Sequence, residues 1–143
     1  MRRNVLVVIC GLAFLVLMTW LGSVAVDIIP RPATAQVQTA QAGSYQITVQ
    51  VNPNPPLITQ PTALSIRILM RSTQQPVTNA HVSLQSVMET MDMGTDHANA
   101  AMQSDGSYLA HVQFTMSGAW QVQVFVAVPG QQTASATFEI TAR

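Results

Sequence analysis

The stretch Tyr45-Gln-Ile-Thr-Val-Gln-Val51 alternates strictly between apolar and neutral polar residues. A period of two places alternate side chains on opposite faces of an extended chain. The apolar face is formed by Tyr45, Ile47, Val49 and Val51. This pattern predicts a half-buried β-strand and therefore a sheet that packs one face against a core.

Five further segments on the C-terminal side repeat the alternation and are separated by turn residues. They are Thr62–Met70, Ala80–Gln85, Ser107–Phe114, Trp120–Val128 and Ala134–Thr141, with a short additional strand expected around Ala98–Gln103. Short strands at this spacing are typical of two packed antiparallel sheets. The predicted fold class is all-β, an immunoglobulin-like antiparallel sandwich of six to seven strands.

The N-terminal part of the chain has a different composition. Val5–Val26 carries no charge and is long enough to span a bilayer as a helix. Arg2 and Arg3 precede it, which predicts a cytoplasmic N-terminus and an extracytoplasmic C-terminal domain on a single-pass anchor in the cell membrane. A cleaved signal peptide, with Ala33-Thr-Ala35 as its cleavage site, is the alternative.

These patterns divide the chain into three predicted segments. Residues 1–27 are predicted to be a membrane anchor or uncleaved signal, and residues 28–44 an extended linker rich in Pro, Ala, Thr and Gln. Residues 45–143 form the predicted β-sandwich domain. Both interpretations of the N-terminal segment place this domain outside the cytoplasm.

Composition excludes several classes of function. Only 8% of the residues are charged, the formal net charge is zero and no basic run occurs, so nucleic-acid binding has no electrostatic basis. The single cysteine, Cys10, lies in the apolar N-terminal segment, which leaves the domain without disulfide or thiol chemistry. No Gly-x-Ser-x-Gly motif or recognisable triad is present, and the chain is not expected to be an enzyme.

One short stretch carries distinctive chemistry, Met88-Glu-Thr-Met-Asp-Met-Gly-Thr-Asp-His97. It combines three thioethers with one imidazole, and thioethers are soft ligands that select Cu(I) among the first-row ions. The candidate metal ligands are Met88, Met91, Met93 and His97. Three carboxylates in the same stretch, Glu89, Asp92 and Asp96, favour a cation here.

Other roles for these residues remain open. The methionines are also suited to filling gaps in a core or to contacting a partner, and another metal ion is a further alternative. His81 and His111 are predicted on the outer faces of their strands, where they would form a second surface site if those strands were neighbours. Met116 and Trp120 are interpreted as packing residues.

Three segments resemble the YtkA-like domain family. The segment Gly106–Val124 looks like that family's closing hairpin, with a Gly-x-Tyr strand followed by a Met-x-Gly-x-Trp strand. Upstream, Pro76–Leu84 is similar to the strand that leads into the family's Met-rich loop, and residues 88–97 occupy the loop itself. The loop also resembles the Met-Gly-Met-x-x-His type of Cu(I) loop in the CopC group of periplasmic copper proteins.

The resemblance implies a small immunoglobulin-like domain outside the cytoplasmic membrane, linked to copper handling or oxidase assembly. Carried over to this chain, the Cu(I) ligands would be Met91, Met93 and His97, with Met88 as the fourth. The expected partners are the membrane, through the N-terminal helix, and a copper protein or oxidase subunit. The alternative is a metal-free interaction module that docks on a membrane protein complex.

Overall fold

The computed structural model describes residues 11–19, 33–92 and 94–143. Residues 11–19 are helical, and within the described ranges no helix is both long and apolar enough to cross a membrane. Most of the predicted anchor, the beginning of the predicted linker, and Met93 lie outside the described residues. The chain divides into two compact units, Met1–Arg31 and Pro32–Arg143.

The described residues of the second unit form eight β-strands. In chain order they are β1 (Val37–Ala42), β2 (Tyr45–Asn52), β3 (Thr62–Met70), β4 (His81–Met88), β5 (Asp96–Met102), β6 (Tyr108–Val112), β7 (Gly118–Ala127) and β8 (Ala134–Ala142). The all-β prediction is confirmed, and each strand predicted from alternation has a counterpart. The predicted number of six to seven is wrong by at least one strand, because β1 was not expected.

The strands form one antiparallel sheet in the order β1-β2-β3-β6-β5-β4-β7-β8. Its weakest junction joins β5 to β6, which pair only at Ala101↔Leu109 and Met102↔Tyr108. The two ends of the sheet approach each other, since Gln38 Nε2 donates a hydrogen bond of 2.6 Å to the carbonyl oxygen of Glu139. The sheet is therefore nearly closed on itself.

Strand β1 lies inside the segment that the sequence predicts to be an extended linker. It pairs with β2 along its whole length, from Val37↔Gln50 to Ala42↔Tyr45, around the two-residue turn Gly43-Ser44. Its inward side chains, Ala40 and Ala42, are too small to produce a strong apolar alternation. The signal that could have revealed it is the turn, because Gly43 has a φ of 57° that favours glycine in a tight hairpin.

A single hydrophobic core fills the interior of the sheet. Its largest fully buried side chains are Tyr108, Phe114, Ile47, Leu64, Ile66, Ile68, Leu84, Ile140, Val49, Val51, Val82 and Val122. These residues come from the apolar faces read directly from the alternation. Burial of such a face is the main stabilising contribution to a sheet of this size.

The turn between β5 and β6 is stabilised by a carboxylate. Asp105 Oδ1 accepts hydrogen bonds from the Ser107 hydroxyl at 2.6 Å and from the Ser107 N–H at 3.0 Å. These two bonds lower the pKa of the Asp105 carboxyl, the hydroxyl making the larger contribution. Gly106 in this turn has a φ of 79°, a conformation that favours glycine.

Tyr108 anchors the segment that connects β3 to β4. Its buried hydroxyl donates to the carbonyl oxygen of Val77 at 3.0 Å and accepts from the N–H of Ala80 at 3.1 Å. We expect Tyr108→Phe to lower the free energy of unfolding by about 1–3 kcal/mol, because both backbone groups lose their partner. Urea denaturation followed by circular dichroism measures the loss, and amide hydrogen exchange at Ala80 should accelerate.

Thr62 provides the contrasting control for that prediction. Its Oγ1 is fully buried and has no hydrogen-bond partner within the described part of the chain. Thr62→Val removes this hydroxyl at nearly constant shape, so stability should be unchanged or higher. Equal losses in Tyr108→Phe and Thr62→Val would show that the hydrogen bonds of Tyr108 are not the source of the effect.

Candidate functional site

The Met-rich stretch lies in the β4–β5 hairpin, at one end of the sheet. Strand β4 ends at Met88 and β5 begins at Asp96, so the connecting loop is shorter than the sequence suggested. Gly94 has a φ of 83°, and its N–H donates to Asp92 Oδ1 at 3.3 Å. Met93, one of the predicted ligands, lies outside the described residues.

Met88 belongs to the strand and to the core rather than to the loop. Only 9% of its surface is exposed, and its cross-strand partner on β7 is Trp120. Its terminal methyl group lies against Gly118, where an added Cβ would be 2.9 Å from Met88 Cε. In this structure Met88 is therefore a packing residue, one of the two roles that the sequence left open for the methionines.

Met91 has the opposite environment. It is 54% exposed and, together with Met88, lines an open depression of about 340 Å³ at the loop. We call this the loop depression; it is lined by Val87, Met88, Glu89, Thr90, Met91, Asp92, Gly94 and Thr95. Two methionines and two acidic residues thus line the same cavity, and these residue types combine soft donors with negative charge.

The wall of the loop depression is held to the neighbouring strand. The N–H of Glu89 donates to the carbonyl oxygen of Ala119 at 3.0 Å, which continues the β4–β7 ladder beyond Met88. The Glu89 carboxylate accepts a hydrogen bond of 3.1 Å from Gln121 Nε2. Glu89 is therefore held to β7 through both its backbone and its side chain.

His97 lies on the other face of the hairpin. It pairs with Gln85 on β4, three residues before Met88. Side chains alternate along a strand, and cross-strand partners share a face. His97 therefore projects from the outer face while Met88 projects into the core, so the described conformation does not bring these two predicted ligands together.

His97 lines a groove that also includes a second histidine. His97 and His111 line one groove of about 310 Å³, where β5 and β6 separate. The sequence suggested a site formed by His81 and His111 if their strands were neighbours. Those strands are not neighbours, because β5 lies between them, and His81 lines a different cavity. No local pattern could have revealed that His97 and His111 line the same groove, because this depends on which strands are neighbours.

Within the described ranges, no three His, Cys, Asp or Glu side chains form a group that could hold a metal ion.

Trp120, interpreted from the sequence as a packing residue, is buried beside the loop depression. Its ring meets Phe114 edge to face at 5.4 Å, and its Nε1–H donates to the carbonyl oxygen of Met116 at 3.0 Å. The loop between β6 and β7 is thereby fixed next to the Met-rich hairpin.

These features define a small antiparallel β-domain with a thioether-bearing hairpin loop at one end. The family model described as YtkA-like matches residues 39–125, which is more than half of the chain. The chain therefore belongs to the YtkA-like family, as the hairpin and loop motifs predicted. The match extends from β1 to β7 and includes the whole Met-rich stretch. A comparison with curated proteins gives no match.

Proposed function

We propose that the chain is a membrane-anchored, extracytoplasmic copper-binding domain that holds Cu(I) at its Met-rich loop for copper handling or oxidase assembly. The observation that carries this proposal is the loop depression, where Met88 and Met91 share one open cavity with Glu89 and Asp92. Thioethers suit Cu(I), and the carboxylates raise the local concentration of a cation.

Met91 and Met93 are the primary donors in this proposal. Met91 is exposed at the cavity, and Met93 is two residues further along the same loop. His97 and Met88 complete the ligand set proposed from the sequence. Because they project from opposite faces of the hairpin, a site that uses both requires the strand ends to rearrange.

The proposal also specifies the type of β-fold and the location of the domain. We assign an immunoglobulin-like arrangement, in which the two-pair junction between β5 and β6 divides the sheet into facing halves. The anchor is the uncharged run Val5–Val26, and Arg2 and Arg3 support an outward-facing domain. In an oxidising compartment, thioether ligands have the advantage that they do not form disulfides.

A competition titration for Cu(I) tests the proposal. The full-length chain in detergent, under reducing conditions, should remove one equivalent of Cu(I) from a coloured chelator. Met91→Ala/Met93→Ala should lose this binding by about 100-fold or more, because two of the soft donors are gone. Lowering the pH should weaken binding only partly, because thioether ligands carry no proton to exchange.

Met102 supplies the matched control for the titration. It is 55% exposed, almost the same as Met91, but lies at the other end of β5. Met102→Ala should bind Cu(I) as the unmodified chain does, and circular dichroism should show that all variants keep the fold. Equal affinity in the Met91/Met93 double variant would end the copper proposal and favour the metal-free interaction module.

A further inference from the structure

One end of the domain gathers both chain termini of the β-unit. Thr34, just before β1, accepts a hydrogen bond of 2.9 Å from Asn54 Nδ2 at its carbonyl oxygen, and its Oγ1 accepts one of 3.3 Å from the N–H of Thr141. Arg143 donates through its N–H to the carbonyl oxygen of Pro56 at 2.9 Å. The chain thus enters the domain beside its C-terminus and the β2–β3 loop.

The Met-rich hairpin lies at this same end. Gln113 Nε2 donates to the carbonyl oxygen of Ile58 at 2.8 Å, which joins the β6–β7 loop to the β2–β3 loop. Gly118, which begins β7, pairs with Ala142 near the C-terminus, and Met88 pairs with Trp120 two residues further along β7. We call this the entry end; it consists of residues 33–37, 53–61, 89–92, 113–117 and Arg143.

Exposed apolar side chains are concentrated at the entry end. Within residues 33–92 and 94–143, the exposed large hydrophobic residues are Val37, Leu57, Ile58, Met70, Met91, Met102 and Met116. Five of these seven lie at the entry end, and only Met70 and Met102 do not. Clustering of this kind marks a contact surface, whereas scattered exposed hydrophobic residues need no explanation.

The segment between the apolar run and the β-unit is short, which limits the distance between the entry end and the proposed anchor. The apolar run ends at Val26 and the β-unit begins at Pro32, so five residues separate them. Fully extended, a segment of this length spans about 20 Å. If Val5–Val26 lies in a bilayer, the entry end is held within that distance of the lipid surface, whereas the opposite end of the domain is not.

We propose that the entry end is a lipid-contact face, on which Leu57, Ile58 and Met116 rest against the surface of the bilayer that holds the anchor. This inference rests on the membrane-anchored part of the proposed function. The carboxylates of Glu89 and Asp92, at the same end, restrict the contact to a shallow one because burying them in hydrocarbon is costly. The Met-rich loop then faces the membrane surface.

Site-specific fluorescence on the full-length chain tests this orientation. In a Cys10→Ser background, Thr59→Cys places a single label at the entry end and Ser104→Cys places one in the β5–β6 turn at the opposite end. Each protein is labelled with an environment-sensitive dye and reconstituted into phosphatidylcholine vesicles with and without spin-labelled lipid. The label at position 59 should be quenched several-fold more strongly than the label at position 104.

Leu57→Asp/Ile58→Asp is the variant that isolates the contact. Both side chains are exposed, so the fold should survive, and the quenching difference should disappear while the protein still floats with the vesicles. Flotation with equal, weak quenching at both positions would overturn the lipid contact and leave the anchor intact. Failure to float would overturn the anchor together with this inference. The Cu(I) titration of the same variant reports separately on copper binding.

Contact that requires added membrane proteins would also overturn the proposal, because the occupant of the entry end would then be a protein. Pure phosphatidylcholine vesicles exclude that source in the primary experiment. The two labelled variants carry the same dye in the same sequence background. They differ only in the distance of the label from the entry end, so each variant is the control for the other.

Discussion

Trp120→Ala is expected to destabilise the domain by about 3–5 kcal/mol, the range for removing a large aromatic side chain from a core. Trp120 is 2% exposed and packs edge to face against Phe114. The substitution removes this contact, leaves a cavity and deprives the carbonyl oxygen of Met116 of its donor. Urea denaturation followed by far-ultraviolet circular dichroism measures the change.

A loss of this size approaches the total stability of a small domain, so Trp120→Ala could unfold completely. A milder substitution at the same position therefore gives a loss that can be measured. Trp120→Phe keeps an aromatic ring but removes the indole N–H, and it should cost less than Trp120→Ala. Phe125→Ala, on the outer face of the same strand, is the positional control and should have a smaller effect because Phe125 is only half-buried. A loss in Phe125→Ala as large as that in Trp120→Ala would contradict the assignment of the inner face.

Gly118→Ala is the second substitution with a large expected effect, about 1–3 kcal/mol. Gly118 has a φ of 138°, which L side chains rarely adopt, and an added Cβ would lie 2.9 Å from Met88 Cε. The new methyl group must displace Met88, which lines the loop depression. We therefore expect lower stability together with altered Cu(I) affinity, measured by urea denaturation and by the competition titration.

A double-mutant cycle separates the two causes. Met88→Ala removes the atom that the new methyl group would meet, so Gly118→Ala should cost less in that background, and the difference is the coupling between the two sites. Gly130→Ala is the control for backbone conformation alone, since Gly130 has a φ of 78° and no atom within 4 Å of its added Cβ. Strictly additive losses in the cycle would show that Met88 yields freely.

Local alternation was sufficient to predict most strands. Thr62–Met70 was predicted with the bounds that the structure has, because its apolar residues are large and regularly spaced. The end of β4 was missed, since Val87 and Met88 continue the strand just where the chemistry of the sequence suggested a loop. β1 was missed because alanine side chains give little contrast between a buried and an exposed face.

The candidate site was predicted less completely than the fold. The sequence placed Met91 in a loop, and in the structure it is an exposed residue between β4 and β5. It also grouped Met88 with His97, but residues close in sequence project to opposite faces once a hairpin forms. The groove shared by His97 and His111 had no local signal, since it depends on the separation of β5 from β6.

The sequence by itself determined the all-β class, most of the strands and their buried faces, the family, and the position of the Met-rich stretch at residues 88–97. These properties follow from side-chain size, polarity and spacing within a few residues. Only the tertiary structure decided the strand order, the near closure of the sheet, the burial of Met88 against Gly118 and the gathering of loops and termini at the entry end. Those properties depend on contacts between residues far apart in the chain, which no local pattern encodes.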